Sequence, residues 1–169
     1  MDFHQVLTSR RSIRRYKSTP VEPDKLDRIL EAARIAPSAA NRQPWHFIVI
    51  TDASVQRSLT KAYARDWFAA APVVICACAE PDKAWVRMDK KNYADVDVTI
   101  AFEHLVLAAA AEGLATCWIA AFDPAELRAA LGLPAGIEPL AITPLGYPDE
   151  KPRAFVRKPL SEIVHRERW

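Results

Sequence analysis

Between Arg10 and Arg15 the chain sets four guanidinium groups and the hydroxyl of Ser12 within six residues, in the run Arg10-Arg11-Ser12-Ile13-Arg14-Arg15-Tyr16. Guanidinium offers paired, planar N–H donors to phosphate, and a nearby hydroxyl adds one short neutral bond. The chemistry this composition suits is the cradling of an anion. A basic surface turn or a nucleic-acid arm uses the same residues. The whole-chain balance narrows the choice: 23 Lys and Arg against 21 Asp and Glu leave a net charge of +2. That is too small for general attraction to a polyanion, so the cluster is local and favours a small anionic ligand.

A second constellation is Pro37-Ser38-Ala39-Ala40-Asn41-Arg42-Gln43-Pro44-Trp45. Small side chains let backbone N–H groups approach a ligand, and two amides supply the mixture of donors and acceptors that a planar heterocycle requires. A helix-to-strand connection packed by Trp45 has the same composition.

Other chemically able residues have structural explanations. Cys76 and Cys78 share one face of an apolar run and lack partners at zinc spacing, which makes them core residues. His46 and His104 fall in apolar segments and are expected to pack, while His4 and His165 near the ends are expected to be exposed. Asp95 and Asp97 precede an apolar helix and fit its N-terminal turn better than paired acid/base work. Trp67, Phe68 and Trp85 suit stacking on a substrate or packing in a core. The four glycines, Gly113, Gly132, Gly136 and Gly146, make no Gly-x-Gly-x-x-Gly turn, so no Rossmann dinucleotide site is expected.

These groups must be held by a domain of 169 residues, half of them hydrophobic, which is enough for one core without staples. Pro20–Asp24 is a turn into a helix carrying Leu26, Ile29, Leu30 and Ala33 on one face, with Asp24 as its cap and Pro37 beyond its end. His46–Thr51 and Pro72–Ala79 are strands, and Asp52 opens a helix. Glu80–Asp95 is a loop or short helix. Asp97–Gly113 is a helix apolar almost all round, suited to a domain centre or a subunit interface. Thr116–Ile119 is a strand, Asp123 caps a helix to Gly132, and Glu138–Leu145 is the last strand. The segment 151–169 is a polar tail without periodicity. Such alternation is α+β or α/β. Five tryptophans and two apolar tracts suit burial against a second subunit. The longest apolar stretch carries Glu103, His104 and Glu112 and the first residues lack a leader pattern, so neither a membrane span nor a signal peptide is expected. With three unpaired cysteines, the expected setting is reducing and cytoplasmic.

The order Arg10-x-Ser12-x-Arg14, then Pro37-Ser38-x-x-Asn41-x-Gln43-Pro44-Trp45-His46-Phe47, then Gly113-Leu114-x-Thr116-Cys117-Trp118-Ile119, then Arg157-Lys158-Pro159-Leu160 resembles the nitroreductase family of FMN-dependent oxidoreductases. The resemblance spans nearly the whole chain. It implies an α+β three-layer sandwich, with a central mostly antiparallel sheet flanked by helices, as one domain over 1–169. It implies that Arg10, Ser12 and Arg14, with Arg11 among them, hold the FMN phosphate and ribityl end, and that Arg157 reaches the same phosphate. By the same resemblance Pro37, Ser38, Ala39, Asn41 and Gln43 lie along the flavin. Ile119, Ala120 and Ala121 flank its ring, and Gly146 passes near it. Two departures stand out: Ala120-Ala121 replaces the Glu-Gly or Gly-Ala of many relatives, and only Asp66–Phe68 and Trp85–Tyr93 are available as a lid. Arg42 and Arg65 are candidates for the pyrimidine edge of the flavin.

The implied assembly is an intertwined homodimer, with Asp97–Gly113 in the interface and the 151–169 tail extended over the partner. The implied activity is ping-pong transfer of hydride from NADH or NADPH, through FMN, to a nitroaromatic, quinone or flavin acceptor, with no nucleic acid and no membrane involved. A specialised flavin enzyme, dehalogenating or flavin-fragmenting, and a flavin-binding module without turnover are the alternatives. Flavin carries the redox step, so no side chain is assigned as nucleophile or acid/base catalyst, and no metal is expected.

Overall fold

A computed structural model describes residues 1–152 and 154–169; Arg153, inside the expected tail, lies outside the described residues. The frame is a four-stranded sheet, β1 (Trp45–Ile50), β2 (Val73–Ala79), β3 (Ala115–Thr116) and β4 (Glu138–Gly146), in the order β1-β2-β4-β3. Every pairing between these strands is antiparallel.

β2 explains the layering. All seven of its residues are buried, because side chains of a strand alternate between faces and both faces here are covered. Val73, Ile75, Ala77 and Ala79 pack with α2 (Pro23–Arg34) and α5 (Ala94–Ala111). Val74, Cys76 and Cys78 face the opposite way, onto Leu59, Phe68 and Leu127, the last from α6 (Pro124–Leu131). Three layers result, and the fold is α+β. Cys76 and Cys78 are buried in one cluster with Sγ atoms 3.6 Å apart as free thiols, as their spacing suggested.

The remaining helices are short: α1 (Phe3–Ser9), α3 (Ala53–Ser58), α4 (Asp66–Ala69) and α7 (Leu160–Ile163). Asp52 and Asp123 cap α3 and α6 through their carboxyl groups, as expected. Asp24 does not cap α2. Glu22 stands at that position without a side-chain bond, and Asp24, inside the first turn, pairs with Arg28 at 2.9 Å instead.

Two boundaries differ from the expected ones by three residues. α5 starts at Ala94, three residues early, since Asn92 Oδ1 accepts the Ala94 N–H. The strand expected over Thr116–Ile119 lapses after Thr116. Its register sets Ala115 against Gly146 and Thr116 against Leu145, so the next partner is Pro144, which has no N–H to give. Cys117 N–H turns to the Thr143 hydroxyl at 3.1 Å, and pairing resumes in the same register at Ile119 and Ile142. Among the described residues, no helix is long and apolar enough to cross a membrane.

Candidate functional site

The arginine run is held as an extra rung on the sheet edge. Ser12 bridges Thr116 in parallel, and Ile13 N–H donates to Thr116 O at 3.0 Å. On its other side Lys17 N–H donates to Tyr147 O and Asp149 N–H to Arg15 O. Burial along this short segment decides what faces solvent. Ile13 and Tyr16 are buried, and Tyr16 closes the turn by donating its hydroxyl to Ile13 O at 2.5 Å. Ser12 and Arg14 are thereby left outward.

Arg10, Arg11, Ser12, Arg14 and Arg157 line one cleft of about 470 Å³, together with Glu150, Ala154 and Phe155. The tail therefore folds back to the start of its own chain and adds a cation there. Phe155 fixes it: the Arg157 guanidinium lies 3.7 Å from the centre of its ring and the Arg11 guanidinium 4.3 Å, both within cation–π range. Arg11 donates to the carbonyls of Thr8 and Arg10, each at 2.7 Å, which turns it towards its own backbone. Arg14 N–H donates to Glu150 Oε1 at 2.5 Å. Four cations, a hydroxyl and one acid surround the opening. Glu150 and Phe155 carried no signal in the sequence beyond an acid after a turn and an aromatic two residues before Arg157.

From this cleft a strip continues along the sheet edge. Cys117 is buried, and burial pushes its thiol up, opposed by the Arg14 charge and the Ser12 hydroxyl. Trp118 turns outward onto Phe102 at 4.5 Å. Ile119 is buried and Ala120 and Ala121 are exposed. At roughly 3.3 Å per extended residue, Ala120 lies about 13 Å from Thr116. Gly146 is buried behind the arginine run, where a Cβ would meet Pro72 Cδ at 2.8 Å. Its lack of a side chain is thus required by packing.

Pro37, Ser38, Ala39, Asn41 and Gln43 lie elsewhere. Pro37, Asn41 and Gln43 are exposed, with Ser38 and Ala39 half-buried. Ala40, Asn41 and Gln43 hold φ of 49°, 54° and 50°, left-handed backbone that costs Ala40 and Gln43 about 1–2 kcal/mol each and asparagine less. Ser38 Oγ accepts Gln43 N–H at 2.9 Å and Asp97 Oδ1 accepts Ala39 N–H at 2.9 Å. Asp97, expected in a helix cap, thus holds this loop, and its burial is 99 % by its 1 % exposure. The loop sits at the N-terminal end of α5, whereas Arg10 shares a cavity with Ala110 and Gly113 at the other end. Thirteen residues separate Asp97 from Ala110, about 20 Å at 1.5 Å per residue. None of residues 37–43 lines the arginine cleft of the same subunit.

The remaining candidates pack or face solvent. His104 is within 3.3 Å of Ala32 O, and His46, exposed rather than packed, pairs with Glu80 at 3.0 Å. Trp67 and Trp85 stack edge-on against Tyr63 and Tyr93. Arg42 and Arg65 are exposed. Among the described residues no group of His, Cys, Asp and Glu could hold a metal ion.

Comparison with known proteins shows what the whole chain resembles. The sequence model of the Nitroreductase family matches residues 7–67 and 54–147. A crystal structure of a nitroreductase family protein from Clostridium difficile 630 superposes with a TM-score of 0.92, is 37% identical, and covers 100% of both chains. An NADH dehydrogenase of Thermus thermophilus is 32% identical over 97% of this chain and 95% of its own. An FMN-dependent nitroreductase from Clostridium difficile R20291 has a TM-score of 0.86 and 29% identity, covering 98% of this chain and 99% of that one.

Proposed function

The chain belongs to the nitroreductase family, and from that membership together with its cleft we infer that it is an FMN-dependent oxidoreductase. It would take hydride from NADH or NADPH and reduce a nitroaromatic, quinone or flavin acceptor. One observation carries the reading: Arg10, Ser12, Arg14 and the distant Arg157 meet in one cleft, a donor set suited to a phosphate monoester. When bound there, FMN supplies the two-electron carrier between donor and acceptor.

The protein's own residues bind and orient. Arg10, Arg14 and Arg157 would neutralise the phosphate and Ser12 would donate to it. The strip from Cys117 to Ala121 would run beside the ring, with Ala120 and Ala121 leaving its face open for donor and acceptor in turn. The small side chains of that strip would bring no acid to the ring.

The loop 37–43 completes such a site only across a dimer. A two-fold dimer that packs α5 antiparallel on its counterpart sets the N-terminal end of one helix beside the C-terminal end of the other. The arginine cleft of one protomer then meets Asn41 of the partner subunit. α5 offers the surface: Val96, Ile100, Leu107 and Ala110 stay at least partly exposed at helical spacing. Along the tail, Val156, Leu160 and Trp169 are 95%, 73% and fully exposed, apolar side chains that a partner would cover.

Stopped-flow mixing of the flavin-loaded protein with NADH and with NADPH under anaerobic conditions tests the reading. Fast bleaching near 450 nm and reoxidation by a quinone or nitroaromatic are expected. Failure to bind FMN, or binding without bleaching by either donor, would overturn it.

A further inference from the structure

Asp97 is a buried acid that the chemistry above does not use. It is the fourth residue of α5 and almost wholly enclosed, among Ala94, Val98 and Ala101, which are buried too. Helix capping does not require it. Asn92 Oδ1 takes the Ala94 N–H, and the N–H of Asp97 itself is bonded to Tyr93 O inside the helix. Its Oδ1 makes one bond, to the Ala39 N–H, across 58 residues of sequence. Its Oδ2 has no partner among the described residues. Burying a carboxyl group with half its acceptor capacity unfilled opposes folding, so packing alone does not account for the residue.

The bond to Ala39 does account for it. Ala39 opens the turn in which Ala40, Asn41 and Gln43 take left-handed backbone without being glycine. Ser38 Oγ fastens the far end of that turn through Gln43 N–H. Strain of this kind persists only where surrounding contacts fix it. Asp97 and Ser38 are the side chains that grip the turn at its two ends.

We propose that Asp97 is a positioning residue that presets the 38–43 turn in the shape that receives the flavin ring. The proposal rests on the flavin reading of the cleft and adds a role that touches no cofactor atom. Only one acceptor oxygen is engaged, so the carbonyl of an asparagine should serve in its place.

The test is titration of FMN and of riboflavin, which lacks the phosphate, into wild type, Asp97→Asn, Asp97→Ala, Ser38→Ala and the Arg10→Ala/Arg14→Ala double variant. Visible circular dichroism of the bound flavin is read in parallel. Asp97→Ala should weaken both ligands by the same factor, about tenfold for one lost hydrogen bond, and alter the dichroic bands. Asp97→Asn should restore both. The arginine variant should weaken FMN and leave riboflavin unchanged, which separates the ring end from the phosphate end. Ser38→Ala, at a half-buried site outside the core, should shift both ligands in the direction of Asp97→Ala and serves if the latter fails to fold. Wild-type affinity and dichroism in Asp97→Ala or Ser38→Ala, or failure of asparagine to rescue, would overturn the proposal. Wild type that binds neither flavin would instead bring down the functional reading, and this inference with it.

Discussion

Arg14 N–H donates to the Glu150 carboxyl group at 2.5 Å, so the cleft that gathers Arg10, Arg14 and Arg157 keeps an acid among its cations. A phosphate entering there competes with that acid for the same donors. Glu150→Gln keeps an acceptor for Arg14 and removes the competing charge. At about 4 Å in water-like surroundings one such repulsion is about 1 kcal/mol. FMN should therefore bind roughly fivefold more tightly to the variant. Quenching of flavin fluorescence on titration measures it, and unchanged or weaker affinity would show that Glu150 is no competitor.

Losing the cations should act in the other direction. Each charge-assisted contact contributes about 1.5–3 kcal/mol, so Arg10→Ala or Arg14→Ala should cost roughly tenfold or more in FMN affinity. The loss should shrink as salt is raised, because the cleft is open to solvent. Equal retention of flavin by the double variant and wild type at low salt would remove the phosphate assignment.

The arginine run and the 37–45 loop stood out by residue type, and the structure gathers Arg10, Ser12, Arg14 and Arg157 in one cleft while residues 37–43 of the same subunit line none of it. β2 was legible because seven consecutive apolar residues have few other uses. What stayed hidden depends on distance in sequence. The lapse of β3 after Thr116 comes from Pro144, visible only once the register places it opposite Cys117. Asp97 looked like part of a helix start, since nothing near it in sequence reveals Ala39, 58 residues away, as its partner. Glu150 and Phe155 gain meaning only when the tail folds back onto the first turn.

Gly146 gives a prediction about packing rather than binding. A Cβ there would lie 2.8 Å from Pro72 Cδ and 2.9 Å from Cγ, with the Tyr16 ring at 3.4 Å. Proline is a stiff neighbour, so strain of about 1–3 kcal/mol is expected from Gly146→Ala. For a domain of this size each kcal/mol moves the melting temperature by about 2–4 °C. Calorimetry should show that loss. Full wild-type stability would mean that the strand and Pro72 move apart freely.

The tail supplies Arg157 to the cleft and leaves the apolar side chains of Val156, Leu160 and Trp169 largely open to solvent. Removing residues 151–169 should therefore cost both flavin retention and dimerisation. Sedimentation velocity with flavin absorbance detection reads both at once. A truncated monomer that keeps its flavin would break the proposed link between tail, partner and cofactor.

Glu103 lies on the same exposed side of α5 and is half-buried. Burial raises its carboxyl above the ordinary value, while the charges of Arg10 and then His104 pull it down. A carboxyl raised in the folded state favours folding most when protonated, below its unfolded value, and that contribution is lost as pH rises through the folded value. Glu103→Gln should thus stabilise the protein at neutral pH and leave it unchanged at acid pH, where the native side chain is already neutral. Denaturant midpoints at the two pH values test this, each compared with wild type. If the variant is less stable at neutral pH, attraction to Arg10 outweighs burial, and the sign of the effect is reversed.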